Sequence, residues 1–159
     1  MRMAVLTVSD RCSQGVAADT AGPAVVALLR QHWPETEILV ALAPDEVATI
    51  AAQLEKWCME GVALVVTTGG TGLGPRDLTP EATRRVIDRE APGLAEAMRA
   101  KCAGLNPFAW LSRGIAGLKG NTLIINLPGS RRGAEESLTS IVDLVGHGLE
   151  IAAGGQNHP

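Results

Sequence analysis

The sequence predicts an α/β fold of three layers, α/β/α, with a mainly parallel central sheet and a small hairpin or subdomain. Three observations carry that expectation. The apolar run at residues 61–68 is too continuous to leave one strand face in water, and MAVLTV at 3–8 and the run within NTLIINLPGS read as further buried strands. Between them lie stretches whose apolar residues recur every three or four positions, the helical period. The runs also pass directly into loops rich in glycine, proline and polar residues, as strand-to-helix connections do.

Met3 to Val8 forms the first strand, and SDRCSQGVAADTAGP is the loop after it. Pro23 begins a helix whose inward stripe is Val25, Leu28 and Leu29, with His32 at its edge. Glu37 to Leu42 makes a second strand. Pro44, Asp45 and Glu46 stand where the next helix begins, and Val47, Ile50, Leu54, Trp57 and Cys58 trace its apolar face. The third strand, 61–68, runs straight into GGTGLGPRDLTPEA. There Thr79 suits an N-cap, Pro80 the first helical position and Glu81 the first turn, for a helix reaching roughly Arg89. Pro92 opens another helix. Past Pro107, short apolar runs punctuated by Gly114, Gly117 and Gly120 fit a compact insertion or hairpin, and GIAGLKGN permits a local antiparallel pair. NTLIINLPGS supplies the last strand, and Leu138, Ile141, Val142, Val145 and Leu149 mark a final helix from Ala134. This assigns 1–153 to a single domain and leaves 154–159 as a flexible tail.

A chain of 159 residues, 46% hydrophobic and 19% charged, has enough material for one core without a disulfide or metal staple. Its formal charge of -3 provides no broad positive field for a nucleic-acid backbone, although a local cluster of basic groups can still bind a small anion. Cys12, Cys58 and Cys102 lack the close paired spacing of a structural zinc site. The apolar stretch at the start is too short for a signal peptide, and no run approaches the about 18 residues of a membrane span. The expectation is a cytoplasmic chain with no nucleic-acid or membrane partner.

Chemistry gathers where strands end. Gly69, Gly70 and Gly72 let backbone N–H groups approach an anion at the sheet's carboxyl edge, and Thr68 or Thr71 adds a hydroxyl; the same glycines also fit a tight structural turn. Neither standard nucleotide motif is present, because no Lys-Ser/Thr pair follows GGTGLG and its spacing is not GxGxxG. Arg76 suits phosphate and Asp77 suits magnesium, or the two form a surface ion pair. Asp45 follows the second strand as Asp77 follows the third, so both reach one crevice, unless Asp45 serves only its helix start. In the first loop, Asp10 and Asp19 suit magnesium or ribose and Arg11 suits phosphate, with helix capping as the alternative. In NLPGSRRG, Ser130 and Arg131 suit a second, phosphate-bearing substrate or a helix entrance. Phe108 or Trp110 beside Arg113 suits the wall of a planar ligand, although core packing is the stronger local expectation. His147 and His158 form no triad with a serine or cysteine, so hydrolase chemistry has little support.

The assembly LTVSDRCSQGVAADTAGP, ALAPDE, VVTTGGTGLGPRDLTPEAT, FAWLSRGIAG and TLIINLPGSRRG closely resembles the molybdopterin adenylyltransferase family, related to the gephyrin G domain, over nearly the whole chain. That resemblance implies a homotrimer with neighbouring pockets for molybdopterin and nucleotide. It implies transfer of AMP from Mg-ATP to the terminal phosphate of molybdopterin, releasing pyrophosphate, in molybdenum cofactor biosynthesis, with a molybdenum insertase as a further partner. On the matching motifs, Asp45 and Asp77 become the catalytic carboxylates that organise Mg²⁺. Gly69, Gly70, Thr71 and Gly72 shape the phosphate-facing loop, Asp10, Asp19 and Gly22 extend the nucleotide side, and Ser112, Arg113 and Ser130 contribute to molybdopterin binding. Arg131 falls where the family varies. The same signature fits a noncatalytic or specialised molybdopterin-binding member, or a trimeric structural module; retention of Asp45 with Asp77 favours the enzyme.

Overall fold

The computed structural model describes residues 1–155, so the last part of the expected tail, and His158 with it, lies outside the described residues. Among the described residues six strands form one sheet: β1 (Arg2–Val8), β2 (Glu37–Ala43), β3 (Leu64–Thr68), β4 (Arg89–Glu90), β5 (Ala116–Lys119) and β6 (Thr122–Leu127), in the order β2-β1-β3-β6-β5-β4. β2, β1, β3 and β6 run parallel, while β5 pairs antiparallel with both β6 and β4. The expected hairpin is therefore β5–β6, turning on Gly120 at φ +56°.

The helices are α1 (Asp10–Ser13), α2 (Ala21–His32), α3 (Val47–Met59), α4 (Thr79–Val86), α5 (Pro92–Ala103) and α6 (Arg131–Ala152), with a 3₁₀ turn at Pro107–Leu111. They divide between the sheet faces as the strand pleat dictates. Met3, Val5, Leu64, Val66, Leu123 and Ile125 point to one face and meet α2, α5 and α6. Ala4, Leu6, Val8, Val65 and Ile124 point to the other and meet α3 and α4. This is the three-layer arrangement the alternating elements predict. No helix among the described residues is long and apolar enough to cross a membrane.

Several boundaries differ from the sequence expectation. Thr79 is not an N-cap: it is the first residue of α4, and its hydroxyl donates to the Gly69 carbonyl (2.8 Å) instead of capping an N–H of its own helix. α4 stops at Val86, before Arg89, because Arg89 and Glu90 pair with Leu118 and Gly117 as a short strand. The third strand begins at Leu64, since Gly61 turns at φ +71°. α6 begins at Arg131, with Ser130 as its N-cap accepting the Gly133 N–H (3.1 Å). Phe108 and Trp110 are 72% and 60% exposed, so core packing is not their role. At the far end, the Gly154 and Gly155 N–H groups donate to Ile151 and Glu150 carbonyls of α6's last turn.

The register aligns the carboxyl ends of the parallel strands, with Val8 opposite Ala43, Thr7 opposite Thr68 and Thr68 opposite Leu127. The chain leaves β1 toward α2 on one face and β3 toward α4 on the other. Adjacent strands whose connections diverge in this way open a crevice between their loops, the usual place for a ligand in such sheets.

Candidate active site

Two glycines let the segment after β3 turn back across that crevice. Gly69 has φ +102° and Gly70 φ +64°, and a Cβ at Gly69 would overlap the Val8 carbonyl oxygen. Neighbouring elements tie the segment down: Gly69 N–H donates to the Leu127 carbonyl (3.1 Å), Thr68 hydroxyl to the Pro128 carbonyl (2.7 Å) and Thr79 N–H to the Gly70 carbonyl (3.0 Å). A Cβ at Gly129 would lie 3.1 Å from the Gly69 Cα, so the loops after β3 and β6 also touch. Beneath them, buried Asn126 donates to the hydroxyls of Thr67 (3.0 Å) and Thr83 (2.9 Å), which makes it a strut of the fold.

A cleft of about 380 Å³ opens above this frame. Its floor includes Gly70, Thr71, Gly72 and Asp77, its far side Gly129 and Ser130, and Phe108, Leu111 and Ser112 form a wall. Ser130 and Ser112 each use the side-chain oxygen to accept a backbone N–H, from Gly133 and Gly114 respectively, which leaves each hydroxyl proton available to a ligand.

Asp77 and Asp45 approach the loop from different directions. Asp77 Oδ2 accepts the Gly74 N–H (2.8 Å), and a Cβ at Gly72 would lie 2.9 Å from that oxygen. Asp45 does not line the cleft; it meets the loop at Gly70, where a Cβ would lie 3.0 Å from Asp45 Oδ1. Its Oδ2 accepts the Asp10 N–H (2.9 Å). Asp45 is not the N-cap of its own helix α3, since Glu46 occupies that position. Burial, followed by the negative charges of Asp10 and Asp77, raises its pKa above the ordinary carboxylate value. Asp10 moves the other way, lowered by the Asp45 backbone N–H and by Arg76.

Three other expected ligand residues are occupied by the protein itself. Arg113 donates to the Gly72 carbonyl (2.7 Å), the Asp77 carbonyl and the Glu81 carboxylate, so it clamps the loop to the first turn of α4. Asp19 accepts the Thr7 hydroxyl (2.7 Å) and the Gly22 N–H (2.9 Å), and a Cβ at Gly22 would overlap both side chains. Asp19 and Gly22 lie in a second groove, between α2 and β2, and not among the residues of the first cleft. In the sequence Glu81 stands out only as a helix-start charge, and Gly129 does not stand out at all. Nothing local marks either, because their partners lie 32 and 60 residues away.

The donor set suits a hard divalent cation shared with substrate. Among the described residues, no donor reaches Oδ1 of Asp45 or of Asp77, and no group of three or more His, Cys, Asp or Glu side chains could hold a metal unaided. One or two carboxylates completed by water and phosphate is the coordination Mg²⁺ prefers.

Known proteins share this outline. The probable molybdopterin binding domain family matches residues 4–147. The Drosophila melanogaster molybdenum cofactor synthesis protein cinnamon is 40% identical over 92% of this chain, which spans only 25% of that protein. The molybdopterin adenylyltransferase of Helicobacter pylori strain J99 is 38% identical over 97% of this chain and 89% of its own. The crystal structure of the molybdopterin biosynthesis enzyme MoaB from Thermus thermophilus superposes with a TM-score of 0.89 at 46% identity, covering 96% of both chains.

Proposed function

The chain belongs to the molybdopterin-binding domain family of molybdenum cofactor biosynthesis, and from that premise we propose that it is a molybdopterin adenylyltransferase. An oxygen of molybdopterin's terminal phosphate attacks the α-phosphorus of ATP, and the bond from that phosphorus to the β-phosphate oxygen breaks, releasing pyrophosphate. The observation that carries this reading is that Asp45 and Asp77 meet a single glycine-bearing loop that also floors a cleft.

Mg²⁺, when bound, would neutralise the phosphates and withdraw charge from the reacting oxygens. Asp45 and Asp77 would hold it through the Oδ1 atoms that no donor among the described residues reaches. Backbone N–H groups of Gly70, Thr71 and Gly72 would face the phosphates, as glycine-bearing turns allow. Ser130 and Ser112 would donate their remaining hydroxyl protons to the second substrate, and Phe108 would border its ring. Arg113 would act indirectly by holding Gly72 and Asp77 in place, and Asp19 with Gly22 would brace the start of α2 on the nucleotide side. Such positioning is what phosphoryl chemistry chiefly requires of a protein.

We place the reaction in the cytoplasm, in a homotrimer that passes its product to a molybdenum insertase. Exposed apolar side chains at Val40 and Leu42 on the edge strand support association, which sedimentation analysis would test. Asp45→Ala and Asp77→Ala test the chemistry: each should abolish AMP transfer while retaining molybdopterin binding and the circular dichroism of the parent. Full transfer by either variant would remove that residue from the mechanism.

A further inference from the structure

The loops after β1, β2 and β3 are fastened together through one carboxylate. Asp10 Oδ1 accepts the Asp45 N–H (3.0 Å), while the Asp10 N–H donates to Asp45 Oδ2 (2.9 Å), so each side chain caps the other's backbone. Arg76, from the third loop, lays its guanidinium across the same carboxylate: Nε reaches Oδ2 at 3.0 Å, and Nη2 reaches Oδ1 and Oδ2 at 2.9 and 2.7 Å. With these contacts made, the acceptor capacity of Asp10 is filled. Asp10 is thus poorly placed to take a metal ion or a ribose hydroxyl directly. Asp45, by contrast, keeps Oδ1 against Gly70.

An exposed ion pair alone contributes little, and the Arg76 side chain is 60% exposed. This pair differs because its carboxylate is also bonded to the backbone that carries Asp45. Releasing Arg76 frees Asp10 to rotate, and rotation of Asp10 removes the acceptor that holds the Asp45 N–H. We infer that Arg76 and Asp10 are a positioning pair for Asp45, setting from the third loop where the carboxylate of the second loop stands. The inference rests on the proposed role of Asp45 as a magnesium-organising carboxylate. It assigns Asp10 the work of holding a ligand residue and Arg76 the work of holding Asp10.

Arg76→Gln and Arg76→Lys test the pair, with Asp45→Asn as reference. Amide hydrogen exchange is read at Asp10 and Asp45, and the half-saturating Mg²⁺ concentration is read for AMP transfer. Arg76→Gln should speed exchange at those two amides by about tenfold, the scale of one charge-assisted hydrogen bond, and leave the amides of β1 and β2 unchanged. The Mg²⁺ requirement should rise by about the same factor, with kcat recovered at saturating Mg²⁺. Arg76→Lys, which can still reach one oxygen, should fall between. Unchanged exchange at both amides would overturn the inference, as would acceleration spread across β1 and β2, or local acceleration with an unaltered Mg²⁺ requirement. Should Asp45→Asn transfer AMP normally, the functional reading fails instead. If the wild type transfers none, the exchange data still decide whether the pair holds Asp45.

Discussion

Replacing Gly69 by alanine separates backbone strain from collision, because a second glycine offers the strain alone. Gly15 also has positive φ, +72°, but no atom of the described residues outside its immediate chain neighbours lies within 4 Å of where its Cβ would be. Gly15→Ala should therefore cost only the left-handed penalty of an L residue, about 1 kcal/mol. Gly69 sits at φ +102°, and its Cβ would overlap a main-chain oxygen of β1, which cannot rotate aside as a side chain could. Strain and overlap together should cost about 3 kcal/mol or more. For a chain of 159 residues each kcal/mol lowers the melting temperature by about 2–4 °C, so the expected losses are about 3 °C for Gly15→Ala and about 9 °C for Gly69→Ala. Differential scanning calorimetry reads both. Equal losses would refute the argument, since they would mean that β1 does not confine the loop.

The remaining predictions concern charge. Asp45→Asn should raise the melting temperature at pH 7 while abolishing AMP transfer. Burial and two like charges raise the folded-state pKa of Asp45, so stability is lost as pH rises from the ordinary carboxylate value through the raised one, and the gain from Asn should vanish below the ordinary value, where Asp45 is protonated in both the folded and the unfolded chain. Glu81 has the opposite sign. Arg113 lowers its folded pKa, so its contribution is present above the ordinary glutamate value and is lost as pH falls through the lowered one; Glu81→Gln should flatten the acid limb of a stability–pH curve. Arg113→Ala should cost about 1–3 kcal/mol in denaturant unfolding, because the Gly72 and Asp77 carbonyls lose their donor, and it should raise the Mg²⁺ requirement for transfer.

Much of the frame is legible in the sequence because it follows from local pattern. Strands buried on both faces are nearly continuous apolar runs, and Met3 to Val8, broken only by Thr7, and Leu123 to Leu127, broken only by Asn126, are such runs. Asp45 and Asp77 can be placed at one edge because each lies in the loop after a parallel strand, Asp45 just past β2 and Asp77 near the end of the loop that leaves β3. What escapes depends on distant partners. Arg89 and Glu90 are exposed residues with no strand signature, and they pair only because β5 lies alongside. Thr79 has the composition of an N-cap, yet its hydroxyl donates to the Gly69 carbonyl once the loop folds back. Arg113 is expected among the molybdopterin contacts by family resemblance, and nothing in its local sequence announces that Gly72, Asp77 and Glu81 take its guanidinium. Phe108 and Trp110 have the composition of core residues, as aromatics usually do, but the 3₁₀ turn holds them in solvent, with Phe108 on the rim of the cleft.

The most direct test of the proposed activity is mass spectrometry of the wild-type protein incubated with molybdopterin, ATP and Mg²⁺. Adenylylated molybdopterin should accumulate with one pyrophosphate released per molecule formed, and omission of Mg²⁺ should stop both. Recovery of molybdopterin and ATP unchanged, with molybdopterin bound to the protein, would contradict the account and leave a binding protein in its place.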